Sequence, residues 1–315
     1  MSTPQSPEKP PVALIAGPTA SGKSDLAVRL ALALAAQGRR GVVINADSAQ
    51  VYADLRVLSA RPSEAEMRGV EHRLYGEWDG ATACSAADWA QAARTAVAEV
   101  HAQGAVPILV GGTGLYIRTL IEGIAKVPRI DPAVREAVRL LSTPDAYGAL
   151  QREDPARAAV LHPNDKLRIA RALEVVRSTG MPLAYWQQVD ASGIDNEVTL
   201  YPVILRPTPG SIRGKTEARF TRMLNEGAVE EVRALLARGL SPDLPVMRAI
   251  GVPEVAGWIM GLWPREEAEQ RGHRATWQYM RRQYTWFRAQ PPDHWPRVDK
   301  ENFDEAELFA SLLRS

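Results

Sequence analysis

The chain has 315 residues, of which 45% are hydrophobic and 24% are charged, an ordinary globular composition that excludes a largely disordered chain. Its 38 basic and 37 acidic side chains give a net charge of +1, so any nucleic-acid binding must depend on local clusters of charge. The single cysteine, Cys84, excludes internal disulfides and a cysteine-rich zinc site, and the apolar runs are too short for a membrane partner to be expected.

The first ten residues, MSTPQSPEKP, are polar and rich in proline, and they lack the apolar segment of a secretory signal. We therefore expect residues 1–10 to form a disordered tail on a cytoplasmic protein. Three short, continuous apolar runs then predict strands buried on both faces: VALIA at 12–16, VVINA at 42–46 and VPILV at 106–110.

Helical patterns separate these strands. One pattern runs from Lys23 to Gln37, and another starts at Ser85, which forms a capping box with Asp88, and continues to about Ala102. The alternating order of strands and helices predicts an α/β protein with a parallel sheet and helices on both faces.

The pattern changes at Asp131, and from there to about Gly193 it is helical, with no convincing strand. Asp-Pro pairs at 131–132 and 154–155 each place an N-cap before a proline at the first helical position. A returning strand is predicted at 201–205 (YPVIL), followed by two long helices at about 211–238 and 265–289. The simplest domain organisation is a core at 11–128 and 200–315, interrupted by a helical insertion domain at 129–199.

The turn after the first predicted strand, GPTASGKS, matches the phosphate-loop pattern G-x-x-x-x-G-K-[ST] in every fixed position. Backbone N–H groups and a helix N-terminus bind an anion there, the lysine adds a positive charge, and the final serine can hold Mg²⁺. Its position between a buried strand and a helix disfavours a glycine turn that binds nothing. The pattern predicts a P-loop NTPase-like fold and a polyphosphate or diphosphate site formed by Gly17, Pro18, Thr19, Ala20, Ser21, Gly22, Lys23 and Ser24.

Polar turns also follow the other two predicted strands. Asp47 lies in NADSAQVY at 45–52, and Thr113 lies in GGTGLY at 111–116. The carboxyl ends of parallel strands share one edge of the sheet, where open α/β sheets bind their ligands. Taken singly, Asp47 could instead cap a helix, and Thr113 could simply pack in a tight turn. Three polar turns at one edge favour a common site.

The three turns, in this order and spacing, resemble those of the tRNA dimethylallyltransferase (tRNA isopentenyltransferase) family. The resemblance continues through Asn164-Asp165, RIARALE at 168–174, RAIG at 248–251 and TWQYMRRQYTWFR at 276–288, so it covers about residues 11–290. It implies that a dimethylallyl group is transferred from dimethylallyl diphosphate to N6 of the adenosine 3′-adjacent to the anticodon, with Mg²⁺ as cofactor. A small-molecule or nucleotide kinase is the alternative, although it would not explain GGTGLY.

The resemblance also implies roles for individual residues. Asp47 would be the general base, Thr113 would hydrogen-bond near the reacting centre, and Arg219 would contact the diphosphate in the phosphate loop. The residues implied to contact tRNA are Asp47, Ser48, Ala49, Gln50, Thr113, Arg135, Leu167, Arg168, Ile169, Ala170, Arg171, Arg248, Ala249, Ile250 and Gly251.

The predicted helix at 265–289 supplies a partly independent argument. Residues 270–292 contain no acidic residue, and arginines alternate there with aromatic residues. Arginines pair with phosphates and aromatic rings stack on unpaired bases, so we expect Arg281 and Arg282 to contact the anticodon loop of tRNA. The alternative is an amphipathic helix whose aromatic residues face the core and whose arginines are merely solvated. We expect the chain to act as a monomer.

Arg281 and Arg282 point about 100° apart on a helix, so both can border one broad basic strip. Replacing both with glutamine should weaken tRNA binding and flatten its dependence on salt, because fewer counterions are released. Filter-binding titrations at several salt concentrations measure both effects, and binding of the diphosphate donor serves as the unaffected control. An unchanged salt slope would assign both arginines to ordinary solvated surface.

Overall fold

The computed structural model describes residues 9–125, 127–188, 193–299 and 303–314, so most of the predicted tail lies outside the described residues. The described strands are β1 (Pro11–Ala16), β2 (Gly41–Asn45), β3 (His72–Arg73), β4 (Val106–Gly111), β5 (Thr199–Leu205) and β6 (Arg297–Val298). They form one parallel sheet with the order β3-β2-β4-β1-β5-β6. The four predicted strands are confirmed, and the two-residue strands β3 and β6 extend the sheet at its edges.

The helices of the first part of the chain are α1 (Lys23–Ala36), α2 (Glu64–Met67), α3 (Ala86–Ala102) and α4 (Gly114–Glu122). Next come α5 (Pro132–Leu140), α6 (Thr143–Glu153), α7 (Pro155–Val160), α8 (Lys166–Thr179) and α9 (Leu183–Gln188). After β5 the chain forms α10 (Pro209–Asn225), α11 (Ala228–Ala237), a 3₁₀ turn (Pro245–Arg248), α12 (Val252–Ile259), α13 (Arg265–Ala289), α14 (Glu305–Leu308) and α15 (Ala310–Arg314).

The sheet is covered by helices on both faces, as the sequence predicts for a P-loop NTPase-like fold. Alternate residues of β1 enter different cores: Val12 and Leu14 pack in the core that contains Trp89 of α3, whereas Ala13 and Ile15 pack with residues of α1. Because side chains alternate along a strand, a strand buried on both faces must be apolar at every position. This requirement explains the unbroken apolar run VALIA.

The described residues divide into two compact units, one made of the residues up to Ile121 and from Ile194 onward, the other of Glu122–Gly193. Within the described part of the second unit, the structure is helical and has its own core, which includes Leu150, Ile169 and Leu173. Its helices start where the sequence predicts, because the carboxylates of Asp131 and Asp154 accept hydrogen bonds from backbone N–H groups of the first turns of α5 and α7.

One helix prediction is wrong. The sequence predicts a single helix at about 211–238, but the structure has α10 and α11, separated at Gly227. Gly227 has a φ of +112°, a left-handed conformation that glycine adopts without strain and that ends the regular helix. In contrast, the helix predicted at 265–289 is confirmed as α13. No helix in the described ranges is long and apolar enough to cross a membrane.

Glu231 of α11 fixes the segment that follows the second polar turn. Its carboxylate accepts hydrogen bonds from the backbone N–H groups of Arg56, Val57 and Leu58, at 2.9, 2.7 and 3.0 Å. Hydrogen bonds to a charged group contribute about 1.5–3 kcal/mol each, and their effects are not additive.

The change Glu231→Ala should therefore lower the free energy of unfolding by about 2–3 kcal/mol, because three N–H groups lose their acceptor. Urea denaturation measures the loss, and Glu230→Ala, a change at the exposed neighbouring glutamate, is the matched control. Equal stability of the two variants would mean that the carboxylate of Glu231 does not hold this segment.

Candidate active site

The three polar turns lie side by side because β2, β4 and β1 are neighbours in the sheet. The middle turn, which follows β4, is bonded to both of its neighbours. The N–H of Gly17 donates to the carbonyl of Gly111 at 3.3 Å, and the N–H of Thr113 donates to the carbonyl of Ala46 at 3.2 Å. Backbone hydrogen bonds thus join the three turns at the predicted common edge of the sheet.

The glycines of the middle turn permit close contacts with neighbouring segments. A Cβ atom at Gly111 would lie 2.0 Å from the carbonyl oxygen of Ala46, and one at Gly114 would lie 2.3 Å from the ring of Trp286 in α13. Such distances exclude any side chain at these two positions unless the backbone shifts. The glycines of the GGTG motif therefore allow the residue after β2, and helix α13, to approach this turn closely.

The phosphate loop has the features of an anion cradle. Gly22 is the N-cap of α1, in a left-handed conformation, and has no side chain that could accept from the first N–H groups of α1. Lys23 Nζ donates to the carbonyl of Pro18 at 3.1 Å. Within the described chain, the buried hydroxyl of Ser21 has no hydrogen-bond partner. This loop places positive charge and polar hydrogens around an open space.

Burial lowers the pKa of Lys23 from 10.5 to about 8. The carboxylate of Asp47 opposes this shift, and the guanidinium of Arg219 adds to it. Burial also lowers the pKa of Arg219, again against the attraction of Asp47. These three charges, which come from three separate parts of the chain, therefore interact across one site.

Asn45 orients the backbone of Asp47. Its side-chain oxygen accepts from the N–H of Asp47 at 2.9 Å, and its amide nitrogen donates to the carbonyl of Asp47 at 3.1 Å and to that of Leu74 at 3.0 Å. Asp47 does not begin a helix; one carboxylate oxygen accepts from the N–H of Ala49 within a turn at 3.0 Å. The alternative of a helix cap is thereby excluded.

Thr113 links the middle turn to the turn that contains Asp47. Its hydroxyl accepts from the N–H of Ser48 at 2.9 Å and donates to the hydroxyl of Ser48 at 3.2 Å. Burial raises the pKa of Tyr279, while its hydrogen bonds with the side chains of Thr113 and Ser48 act in the opposite direction. The threonine is thus more than a packing residue, and a tyrosine of α13 joins its network.

Two cavities open at this edge of the sheet. The loop cavity, of about 450 Å³, is lined by the phosphate loop from Thr19 to Ser24. The aromatic cavity, of about 320 Å³, is lined by side chains that include Tyr52, Tyr116, Phe220 and Tyr279. The two cavities share a border, which we call the junction, formed by Thr19, Asp47, Ser59 and Arg219.

The structure brings most of the remaining predicted site residues of the first unit to these cavities. Ser48, Ala49, Arg248, Ala249, Ile250 and Arg282 line the aromatic cavity. Gln50 lines the loop cavity and donates to the carbonyls of Ser59 and Ala60 at 3.1 and 2.8 Å. Gly251, with a φ of +95°, precedes α12, and Arg281 is exposed on α13.

The other predicted RNA contacts lie in the second unit. There the buried carboxylate of Glu174 is surrounded by the guanidinium groups of Arg135, Arg139 and Arg171, at 3.8, 3.7 and 3.9 Å. Leu167 is 83% exposed. Arg168 is exposed and pairs with Asp165 at 3.4 Å, whereas Ile169 is buried in the core of the unit and Ala170 packs against it.

Helix α13 combines both alternatives that the sequence left open. Its buried stripe, at the spacing of a helix face, contains Thr276, Met280, Gln283 and Phe287, while Arg281 and Arg282 are exposed. The guanidinium of Arg282 lies 5.7 Å from the ring centre of Tyr279. Phe287 therefore belongs to the core and Trp286 packs against it, while Arg281 and Arg282 face solvent and Arg282 lines the aromatic cavity.

Gln283 is the residue that the sequence reasoning missed. It is buried, its amide nitrogen donates to the carbonyl of Gly112 at 2.9 Å, and its amide oxygen accepts from the N–H of Thr19 at 2.9 Å. The sequence does contain a signal for a buried hydrogen-bonding residue, because a large polar side chain lies in the apolar stripe of an amphipathic helix. Its partners, however, are 171 and 264 residues away along the chain.

A parallel sheet with a phosphate loop, and two cavities that adjoin at a carboxylate, define a P-loop-like α/β protein. The model of the family described as IPP transferase matches residues 50–290. This chain belongs to the IPP transferase family.

Relatives of this chain that are named tRNA dimethylallyltransferase match it over nearly their full length. A tRNA dimethylallyltransferase of Erythrobacter litoralis is 60% identical over 307 residues, with 98% of this chain and 97% of the relative covered. The enzyme of Novosphingobium aromaticivorans is 58% identical over 278 residues, with 88% and 99% covered.

Solved structures agree with this assignment. The full-length tRNA isopentenylpyrophosphate transferase of Bacillus halodurans superposes with a TM-score of 0.67 at 28% identity, covering 98% of this chain and 95% of that one. A eukaryotic dimethylallyltransferase acting on tRNA gives a TM-score of 0.74 at 27% identity, with 88% and 70% covered.

The lowered pKa of Lys23 makes anion binding dependent on pH. A bound diphosphate favours the ammonium form, so its binding should raise this pKa, and at about pH 8 and above binding should take up a proton. Affinity for inorganic diphosphate should consequently fall as the pH rises through 8. Calorimetry in buffers of different ionisation enthalpy measures the uptake.

The matched control is Lys23→Arg, which keeps the positive charge but does not titrate in this range. The variant and the original protein share the titration of diphosphate itself, so their difference isolates Lys23. Equal proton uptake by the two proteins would mean that Lys23 remains fully charged and that its burial does not affect binding.

Proposed function

We propose that this chain transfers a dimethylallyl group from dimethylallyl diphosphate to N6 of the adenosine 3′-adjacent to the anticodon in tRNA, giving N6-dimethylallyladenosine and diphosphate. The observation that carries the proposal is the junction of the two cavities. A phosphate loop lies on one side, an aromatic cavity lies on the other, and Asp47 and Arg219 border both.

The donor occupies the loop cavity. Its diphosphate is bound by the N–H groups of the phosphate loop and by Lys23, and Arg219 faces the oxygen that leaves. When the bond between carbon and this oxygen breaks, negative charge grows on the diphosphate. Positive groups that are already in place stabilise this charge without reorganising, which lowers the barrier.

Ser24 is the residue proposed to hold Mg²⁺. It lines the loop cavity and is exposed there, and among the described residues no group of three or more His, Cys, Asp or Glu could bind a metal. This donor set suits Mg²⁺, which is commonly held by one or two protein oxygens together with phosphate oxygens and water. Bound Mg²⁺ would supply neutralisation of the diphosphate charge.

The acceptor adenine enters the aromatic cavity. Its exocyclic amine is a weak nucleophile because its lone pair is delocalised into the ring. As N6 forms its bond to the dimethylallyl carbon and the carbon–oxygen bond breaks, Asp47 accepts the N6 proton. The bases of an anticodon loop are unpaired, so a base can leave its stack at little cost and be held against aromatic side chains.

Two basic regions are proposed to bind the tRNA. In the first unit, residues 47–50, Thr113, Arg248–Gly251 and the pair Arg281 and Arg282 surround the cavities. In the second unit, Glu174 holds Arg135 and Arg171 together, and residues 167–171 lie beside them. We propose that the helical segment 129–199 is an insertion domain that contacts tRNA, and that the protein acts as a monomer in the cytoplasm, with its tRNA substrate.

Asp47→Asn tests the reaction. The amide is nearly isosteric but cannot accept the proton, so the single-turnover rate of transfer from labelled dimethylallyl diphosphate to tRNA should fall by about 10²-fold or more. Binding of tRNA should change much less. Lys23→Ala should instead lose donor binding, because nothing replaces the ammonium in an anion site.

Three outcomes would contradict the proposal. A single-turnover rate of Asp47→Asn within a few-fold of the original protein would make Asp47 a turn residue only. Unchanged donor affinity of Lys23→Ala, measured by calorimetry, would place the diphosphate elsewhere. Stronger thermal stabilisation by ATP and Mg²⁺ than by dimethylallyl diphosphate and Mg²⁺ would favour the kinase alternative.

A further inference from the structure

Both polar atoms of the buried side-chain amide of Gln283 form hydrogen bonds. It is 5% exposed, its amide oxygen accepts from the N–H of Thr19, and its amide nitrogen donates to the carbonyl of Gly112, both at 2.9 Å. A buried amide that lost either partner would leave a polar group unsatisfied in the protein interior, which is unfavourable. The two bonds therefore fix the distance and orientation between α13, the phosphate loop and the middle turn.

The position of Thr19 gives this contact a consequence for chemistry. Thr19 belongs to the phosphate loop and is one of the four residues of the junction, where the donor and acceptor cavities meet. Its N–H points to Gln283 and not to the loop cavity, so this N–H orients the loop instead of holding an anion. Movement of Thr19 would change where the reacting end of the donor lies relative to Asp47.

The side-chain amide of Gln283 packs directly against the middle turn. A Cβ atom at Gly112 would lie 2.2 Å from the amide nitrogen of Gln283, so only glycine leaves room for the amide. On the next turn of α13, the ring of Trp286 packs against Gly114 in the same way. The two contacts fix the register of α13 against the turn that separates the phosphate loop from Asp47.

We propose that Gln283 is a positioning residue for the transfer reaction: its amide holds Thr19 and Gly112 so that the donor in the phosphate loop is aligned with Asp47 and the acceptor amine. The proposal rests on the proposed function. It assigns Gln283 no contact with substrate. Its contribution is to alignment, and misplacement of a reacting group by about 1 Å can cost about 10²-fold in rate.

Two variants separate alignment from simple packing. Gln283→Met keeps the length of the side chain and removes both hydrogen bonds. Gln283→Glu keeps the shape, and its protonated carboxyl group can accept from the N–H of Thr19 and donate to the carbonyl of Gly112, as the amide does. The ionised carboxylate has no hydrogen to donate, and its negative charge is repelled by the carbonyl oxygen of Gly112. Burial raises the pKa of such a carboxyl group, which brings its titration into an accessible range.

The measurement is the single-turnover rate of dimethylallyl transfer per folded enzyme, with donor and tRNA both saturating. We expect Gln283→Met to react about 10-fold to 100-fold more slowly than the original protein, while tRNA affinity changes by less than about twofold. The ratio of the Gln283→Glu rate to the Gln283→Met rate should rise as the pH falls from about 8 to about 5.5. Any pH dependence of the reaction that the two variants share cancels in this ratio.

Gln278→Met is the matched control, since Gln278 is an exposed glutamine on the same helix, and its rate should equal that of the original protein. An unchanged rate for folded Gln283→Met, or a ratio that does not vary with pH, would overturn the positioning role. If the original protein itself transfers no dimethylallyl group, the proposed function fails instead. The two failures are therefore distinguishable.

Discussion

The site depends on the hydrogen bonding that places β4 between β1 and β2. Neighbouring parallel strands lie about 4.8 Å apart, so the ends of β1 and β2 are about 10 Å from each other, with β4 and its GGTG turn between them. Backbone bonds from Gly17 to Gly111 and from Thr113 to Ala46 lock this spacing. In the proposed reaction, a donor and an acceptor bound on either side meet at one place.

The electrostatics follow from this arrangement. Lys23 and Arg219 are drawn into the protein, where burial disfavours their charged forms, and Asp47 is the anion that compensates them. A buried cation that is only partly compensated favours the arrival of an anion. In the proposed reaction, the carboxylate that compensates these cations in the free protein accepts a proton once a diphosphate has taken over that task.

Helix α13 connects a solvent-exposed surface that carries arginines to the middle turn. One side carries the exposed Arg281 and Arg282, and the other carries the buried Gln283 and Phe287. Because the side chains of a helix are fixed in angle relative to one another, the position of the arginines and the position of the amide cannot vary independently. The close contacts at Gly112 and Gly114 set that position.

The sequence by itself determined the features that local signals encode. Apolar runs located β1, β2, β4 and β5, the pattern GPTASGKS located the anion cradle, and capping residues such as Ser85 and Asp131 located helix starts. The tertiary structure decided what depends on long-range partners. The two-residue strands β3 and β6 exist only through pairing, and the break at Gly227 outweighed a continuous helical pattern. Gln283 accepts a hydrogen bond from Thr19, which is 264 residues away, and no local pattern specifies a hydrogen bond over that separation.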